Sequence, residues 1–450
     1  EYYFQESVSC SAITSSKISF RLYPGDGAFD INFRSFFTDN NYYLLGFLNS
    51  KIAQFFISTL SPTLAFNVGD FEKIPFINSH NNYIDSLVDN LINVSKKYWN
   101  TKEISWDFLN NELIVRKKEN LKESFNNYMN YWNEQFFQLH ENEEELNRQF
   151  IEIYGLQDEL TPDVPLEEIT ILQEETGIED GELVFYADKV MEQFVSYAVG
   201  CMFGRYSLDK EGLILANQGE TLQDYLIKVG KSEEELTFVP DKDNIIPVLD
   251  EEWFADDIVE RLYSFLKASF GEEKFRENLR FVEESLGTDI RRYFIRDFYN
   301  DHIKRYKKRP IYWMFSSPKS HFNVLIYMHR YTPDTVSRIL NSYLREFIDK
   351  LERQRKHLEH IEVSGSAVDQ NRARKEIDKI DIMLNDCKEY EKEILYPLAT
   401  KRVEIDLDDG VLVNYNKMGS AVAKVAGLND KDTKKKVRKF DWIDTSEIRD

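Results

Sequence analysis

Residues Lys17–Leu60 read KISFRLYPGDGAFDINFRSFFTDNNYYLLGFLNSKIAQFFISTL, and the hydrophobic period changes inside them. Ile18, Phe20 and Leu22 alternate with polar neighbours, the period of two that lays one strand face on a core. Pro24-Gly25-Asp26-Gly27 then turns the chain, and a hairpin turn is expected there. From Tyr42 the spacing becomes helical, and Leu44, Phe47, Leu48, Ile52, Phe55 and Phe56 would line one face. Pro62 ends that helix, Phe66–Asp70 turns the chain, and Pro75 marks an extended edge, because proline cannot donate to an interior ladder. A short β-rich start that yields to helices predicts an α+β, predominantly helical fold.

Working outward, the pattern is helical from Ile84 to Phe150, with Glu141–Glu145 expected on a solvated face. TPDVPLEEITI (Thr161–Ile171) reads as a proline-punctuated joint. Residues 182–290 look mainly helical, with turns at Gly200, Gly204, Gly212 and Gly219 and an acidic loop at 231–252. Leu344, Phe347, Ile348 and Leu351 share a face on one helical arm. Ala373, Ile377, Ile380, Leu384, Cys387 and Ile394 form the seam of a second, antiparallel arm, with the turn at Val363–Asp369. After Pro397, VEIDLDDGVLVNY (Val403–Tyr415) is expected as strand, turn, strand, followed by a basic tail with Lys434, Lys435, Lys436 and Arg438. The expected segments are therefore 1–80, 81–160, 161–343, a helical hairpin at 344–396, and a β-hairpin with basic tail at 397–450.

At 450 residues, 42% hydrophobic and 30% charged, the chain has the composition of a globular protein. Cys10, Cys201 and Cys387 are odd in number and far apart, which excludes a disulfide framework and a CxxC metal site and fits a reducing cytoplasm. No apolar run reaches the ~18 residues of a membrane helix. The opening EYYFQESVSC has no basic n-region and no initiator Met, and reads as the start of a fragment cut from a longer chain.

The net charge of −22 is unevenly spread. Between Arg291 and Arg345 twelve Lys/Arg face only Asp297, Asp301 and Asp334, a local balance of +9 that leaves −31 for the rest. Phosphate binding depends on such local potential. Within this island Lys304, Arg305, Lys307, Lys308 and Arg309 sit beside Tyr306, Tyr312 and Trp313, with Ser316, Ser317, Lys319 and Arg330 following. Cations interleaved with aromatic faces and hydroxyls are what contact with a nucleic-acid backbone requires, so double-stranded DNA is the expected partner. The bland alternative is an amphipathic segment with core aromatics and wet lysines.

Other constellations carry less. His357 and His360 lack a third ligand, and Asp406–Gly410 (DLDDG) lacks an EF-hand's closing Glu. Asp241 with Glu272, Glu273 and Lys274 is too loosely spaced for a nuclease cluster. GxSxG, Walker and Rossmann patterns are absent, as is an Asn-Pro-Pro-aromatic tetrapeptide that would hold an adenine amino group. No catalytic residue, metal ligand or cofactor is assigned.

YLLGFLNSKIAQFF…SPTLAFNVGDFEKIPF resembles the segment that closes the target-recognition domain of large single-chain adenine-specific DNA methyltransferases. With FIEIYGLQDELTPDVPLEEITI, VGCMFGRYSLDKEGL, KRPIYWMFSSPKSHFNVLIYMHRY and IDLDDGVLVNY, the chain is most similar to the C-terminal part of the methyltransferases of BREX phage-defence systems. Single-chain restriction–modification enzymes are similar relatives. The resemblance implies a small β-rich end of a target-recognition domain, then helical domains and a C-terminal helical hairpin. It implies that S-adenosylmethionine is bound upstream in the parent and not by these residues. It assigns a recognition turn to Asn67, Gly69 and Asp70, and adds Arg205 and Tyr206 to Arg309, Tyr312, Trp313 and Ser316 as DNA-facing candidates. The chain alone is expected to bind DNA weakly and to methylate nothing. The rival class is a scaffold whose helical hairpin docks other phage-defence proteins.

Overall fold

Ser7–Ser11 forms β1, the middle strand of a three-stranded antiparallel sheet, with β2 (Arg21–Tyr23) on one side and β3 (Phe33–Phe36) on the other. β1 is central because its residues are small enough to be covered on both faces: Val8 and Cys10 are buried, and so are Ser7 and Ser9. The order β2-β1-β3 corrects the expected hairpin at Pro24–Gly27. That segment joins strands that are not neighbours, and Gly25 supplies the left-handed residue (φ 78°) that the loop requires.

The structure is a computed structural model and describes residues 2–14, 17–30, 32–60, 68–79, 81–440 and 448. The chain divides into two compact units, residues 1–102 with 128–186, and residues 103–127 with 187–450. The fold is α+β and mostly helical.

In the first unit the helical period after Tyr42 yields two helices, Asn41–Asn49 and Lys51–Leu60, separated by an extended Ser50 (φ −70°, ψ 159°). The Asn40 side chain caps the first by accepting from the Tyr43 N–H at 3.0 Å. Asn49 ends it and ties it to the sheet segment: its Oδ1 accepts from Phe20 N at 3.0 Å and its Nδ2 donates to Phe20 O at 3.2 Å. The break resets the helical phase, so Ile52, Ala53 and Ile57 are buried while Phe55, expected inside, is exposed. Val8, Phe20, Tyr43, Phe47, Ile52, Val88 and Phe150 lie in one core that joins sheet and helices. Gly46 permits the close crossing with helix Asn82–Trp99, since a Cβ there would lie 2.7 Å from Val88 Cγ2.

The acidic stretch of the long helix Leu121–Tyr154 is less solvated than expected. Glu144 Oε1 accepts from Val164 N at 3.0 Å, His140 Nε2 lies 2.7 Å from Val164 O, and burial pushes the Glu143 carboxyl up to about 7. The proline-rich joint therefore packs on this face. It leads into a β-hairpin of β4 (Thr176–Glu179) and β5 (Glu182–Phe185).

In the second unit, helix Ala187–Met202 is buried along most of its length. Gly200 lies inside it and is not a turn; a Cβ there would come within 2.4 Å of the Tyr206 ring. The turn follows at Gly204 (φ 74°). A second sheet has the order β6 (Ile246–Pro247), β8 (Asn323–Tyr327), β7 (Tyr312–Ser316), with Tyr312 opposite Tyr327 and Ser316 opposite Asn323. Every residue of β7 and β8 is buried. Helices Arg345–Ser364 and Ala367–Glu389 form the expected antiparallel hairpin, with Ala373, Ile377, Ile380, Leu384 and Cys387 buried along its seam. Each arm runs through a π-helical turn at its base, Ile339–Leu344 and Tyr390–Leu395.

The expected β-hairpin near 406–415 is instead a helix, Gly410–Lys417, preceded by a 3-10 turn at Leu407–Asp409. The apolar run Val411–Val413 fits either period. Asn414 decides it by donating to Gly410 O at 3.0 Å, one helical turn back, and to Asp406 O. Pro397 does not end the second arm: it lies in the helical segment Tyr396–Lys401, which continues directly from the π-helical turn Tyr390–Leu395.

One buried carboxylate organises the first unit's Asn82–Trp99 region. Glu175 is 1% exposed; it pairs with Lys102 and accepts from the Tyr128 hydroxyl at 3.0 Å and the Tyr98 hydroxyl at 3.3 Å. Glu175→Ala strands all three donors in the interior and is expected to cost about 3–5 kcal/mol, read as a lowered urea midpoint at unchanged slope.

Candidate nucleic-acid interface

Helix Phe298–Arg305 ends in a turn that the sequence makes from lysines rather than glycines. Lys307 (φ 49°) and Lys308 (φ 62°) are both left-handed. Their N–H groups close onto Lys304 O at 3.1 Å and Ile303 O at 2.8 Å, and Arg309 N closes onto Tyr306 O at 2.8 Å. The turn satisfies the last helical carbonyls and aims Lys304, Lys307, Lys308 and Arg309 at solvent. Among the described residues none of the four has a carboxylate within ion-pair distance, so their field is not neutralised locally.

Two residues later the chain dives into the core, and this separates the predicted site residues into two groups. Tyr312 and Trp313 are 1% and 0% exposed. Tyr312 lies between Phe203 (5.3 Å) and His302 (4.7 Å), and Trp313 Nε1 donates to Pro310 O at 3.1 Å. Neither offers a ring face to a base. Ser316 is buried and donates to Asn323 Oδ1 at 2.7 Å. Arg305 is paired with the buried Glu103 at 3.1 Å. Arg205 and Tyr206 are buried together, with the guanidinium bonded to the Tyr206 and Tyr327 hydroxyls at 3.0 Å each. Arg330 is buried and donates to the carbonyls of Phe203, Asp241 and Lys242. The aromatic and hydroxyl half of the expected surface is therefore core, and only Lys304, Lys307, Lys308, Arg309 and Lys319 are exposed.

Lys319 stands apart from the other four. It lies beyond the far end of β7, a five-residue strand of about 17 Å. Its loop is pinned by the buried Asp386, which accepts from Ser317 Oγ at 2.6 Å and Lys319 N at 3.0 Å, with His321 Nδ1 at 3.0 Å. Of the predicted recognition turn, Asn67 lies outside the described residues. Gly69 is exposed, and Asp70 pairs with Lys73 at 3.4 Å; both belong to the first unit.

A second cationic segment meets the lysine turn. Val422 bridges Phe315, and Ala423 N donates to Met314 O at 2.8 Å, so this stretch runs antiparallel to β7. It reaches Gly427, where a Cβ would lie 3.4 Å from Lys308 Nζ. Asp430 then caps helix Lys431–Val437 by accepting from Asp432 N and Thr433 N. From Lys424 to Lys439 the sequence holds seven Lys/Arg against Asp430 and Asp432. Lys424, Lys431, Lys435, Lys436 and Lys439 are exposed. The run KKKVRK signals the charge in sequence, but nothing local signals that it folds back to Lys308.

The looser candidates do not assemble. Lys274 pairs with Glu119 at 3.0 Å and Glu272 lies 3.8 Å from Lys267. Asp241 instead lines a cavity of about 340 Å³ with Asp243, Asp256, Arg261 and Tyr343, and burial, with Asp243 beside it, pushes its carboxyl above the usual carboxylate range. His357 and His360 are exposed, and among the described residues no His/Cys/Asp/Glu group is arranged to hold a metal. No helix of the described residues is long and apolar enough to cross a membrane.

The left-handed lysines are strained in a way glycine would not be, by about 1 kcal/mol each. Lys307→Gly and Lys308→Gly are therefore expected to raise the stability of the chain by up to about that amount in chemical denaturation, although each removes a charge.

No protein-family profile matches the chain. Two curated proteins align with nearly all of it. The adenine-specific methyltransferase BrxX of Escherichia coli O9:H4 (strain HS) is 35% identical over 455 residues, covering 95% of this chain and 37% of the relative. The adenine-specific methyltransferase PglX of Lacticaseibacillus casei (strain Zhang) is 34% identical over 434 residues, covering 92% of this chain and 34% of the relative. The chain thus spans little more than a third of the length of the curated relatives it matches, and over nearly all of its own length it is a homologue of the BrxX and PglX adenine-specific methyltransferases.

Proposed function

We propose that this chain is the DNA-gripping share of an adenine-specific DNA methyltransferase of a BREX-type phage-defence system. The observation that carries the reading is the turn at Lys304–Arg309, whose Lys304, Lys307, Lys308 and Arg309 have no ion-pair partner among the described residues and whose Lys307 and Lys308 are left-handed, joined at Gly427 by the basic segment Lys424–Lys439. Methylating an adenine requires the base to leave the stack and enter a catalytic pocket. That step needs a separate surface to hold the duplex, and phosphate contacts from Lys and Arg supply most of such affinity. The groups that would hold S-adenosylmethionine and the adenine amino nitrogen have no sequence counterpart here, so the proposed contribution is binding. Gly69 and Asp70, with Asn67, keep the role of shaping the recognition turn. The three cysteines are free, which fits a cytoplasmic setting.

The scaffold reading has one observation in its favour. Val363 and Val368 are 83% and 77% exposed at the tip of the helical hairpin, where a partner protein would cover them. A salt titration separates the two readings. If the cationic face binds duplex DNA, the logarithm of the affinity falls linearly with the logarithm of salt. Replacing Lys307, Lys308 and Arg309 together by Gln is then expected to flatten that slope by about 0.9 for each phosphate that is no longer neutralised. A slope unchanged by the triple replacement, or no DNA binding at low salt, leaves the scaffold.

The two cationic segments are expected to act as one surface. Neutralising Lys431, Lys435 and Lys436 by Gln should lower affinity for duplexes of any sequence to a similar extent, measured by fluorescence anisotropy on unrelated oligonucleotides.

A further inference from the structure

The core of the second unit contains polar atoms that the protein itself leaves unsatisfied. The Tyr306 and Tyr312 hydroxyls, Glu103 Oε1 and His302 Nδ1 are enclosed and have no hydrogen-bond partner. Tyr312 and His302 are each 1% exposed and Glu103 is 8% exposed. They belong to one packed group: His302 lies 4.7 Å from both the Tyr306 and the Tyr312 ring, and Tyr312 lies 5.6 Å from Tyr327. Arg205 sits among these rings, 5.3 Å from the centre of Tyr206 and 5.9 Å from that of Tyr327.

The chemistry of the unsatisfied atoms is lopsided. His302 Nε2 accepts from Ile311 N at 3.2 Å and Tyr312 N at 3.1 Å, so the ring proton is on Nδ1 and that atom is a donor. The two phenols can donate as well as accept, and Glu103 Oε1 is the one group of the four that can only accept. Charge is lopsided in the same sense. Glu103 is engaged through Oε2 by Arg305 at 3.1 Å and Ser196 Oγ at 2.6 Å. Arg205 is bonded to neutral phenols, and no described carboxylate lies within ion-pair distance of it. Burial and the two guanidinium groups hold His302 neutral, so it adds no charge. Clustered buried orphans mark an ion or water that completes the site. Water would match donors and acceptors alike and leave Arg205 without a counter-charge, which a low-dielectric interior penalises heavily.

We propose that this core encloses a binding site for a small monovalent anion of about halide size, held by the Tyr306 and Tyr312 hydroxyls beside Arg205. The site is independent of the DNA reading, since the polar atoms that form it are enclosed. It also gives a physical role to the GRYSL and RPIYW blocks, whose Arg205, Tyr206 and Tyr312 meet here and not at the surface.

The test uses the whole 450-residue chain with bromide as the probe. Crystals grown in sodium bromide should show an anomalous peak in hydrogen-bonding reach of the Tyr306 and Tyr312 hydroxyls. At equal ionic strength the melting temperature should be higher in bromide than in gluconate, an anion too large to enter, by roughly 2 °C or more. Tyr306→Phe and Tyr312→Phe should each lower the melting temperature and abolish the bromide dependence. Water alone at that position overturns the proposal. So does a bromide peak with no thermal effect, which would be an adventitious ion only. A rise in melting temperature on Tyr→Phe also overturns it, because it would mean the hydroxyls were simply unsatisfied.

Discussion

The fold of the second unit depends on the abrupt passage from water to core between Arg309 and Tyr312. Three consecutive cations are followed within three residues by side chains that are almost fully enclosed. An ammonium group cannot follow the chain inward without a partner. The transition must therefore occur in one turn, and the left-handed Lys307 and Lys308 provide it. Pro310 then fixes the exit, and β7 enters the sheet with both faces covered. Glu103 anchors the same junction from another part of the chain by pairing with Arg305, the last cation of the helix before the turn.

That constraint explains why the sequence misleads at this point. Alternating cations and aromatics in Arg291–Tyr331 look like one surface, because composition does not say on which side of a turn each residue falls. The cations before Pro310 are outside, and the aromatics after it pack against Phe203, His302 and Tyr327. The bland reading of wet lysines and core aromatics is right for the side chains one by one. It does not account for four exposed cations without carboxylate partners among the described residues, two of them, Lys307 and Lys308, on left-handed backbone. Arg205, Arg305 and Arg330 show the opposite case: they are charged residues whose partners include groups 88 to 202 positions away, which no local pattern reveals.

Where period and packing agree, the elements are legible. The alternation of burial at Ile18–Leu22, the helical spacing from Tyr42 as far as Asn49 and the seam of the hairpin from Ala373 to Cys387 appear as read. Where an apolar run is short, tertiary hydrogen bonds choose. Val411–Val413 becomes helix because Asn414 reaches back to Gly410, and Arg21–Tyr23 pairs with β1 rather than with the segment after its own turn. The phase slip at Ser50 is invisible to a periodic reading that runs through it, and it places Phe55 in solvent.

The acidic total of the chain bears on how such a surface would work. A net charge of −22 repels a duplex at long range, so an encounter must be governed by the local positive face once phosphate comes within about a Debye length. A compact patch built from two distant segments suits that situation better than an extended basic groove. It concentrates potential where the chain can spare it and leaves the rest of the surface to oppose unproductive orientations. The lysine turn adds rigidity to this arrangement: left-handed residues closed by backbone hydrogen bonds onto Ile303 and Lys304 lose little further freedom when their charges are engaged. Backbone strain and the proposed DNA grip thus fall on the same two residues, and glycine at either position would relax the strain while removing a charge from the proposed surface.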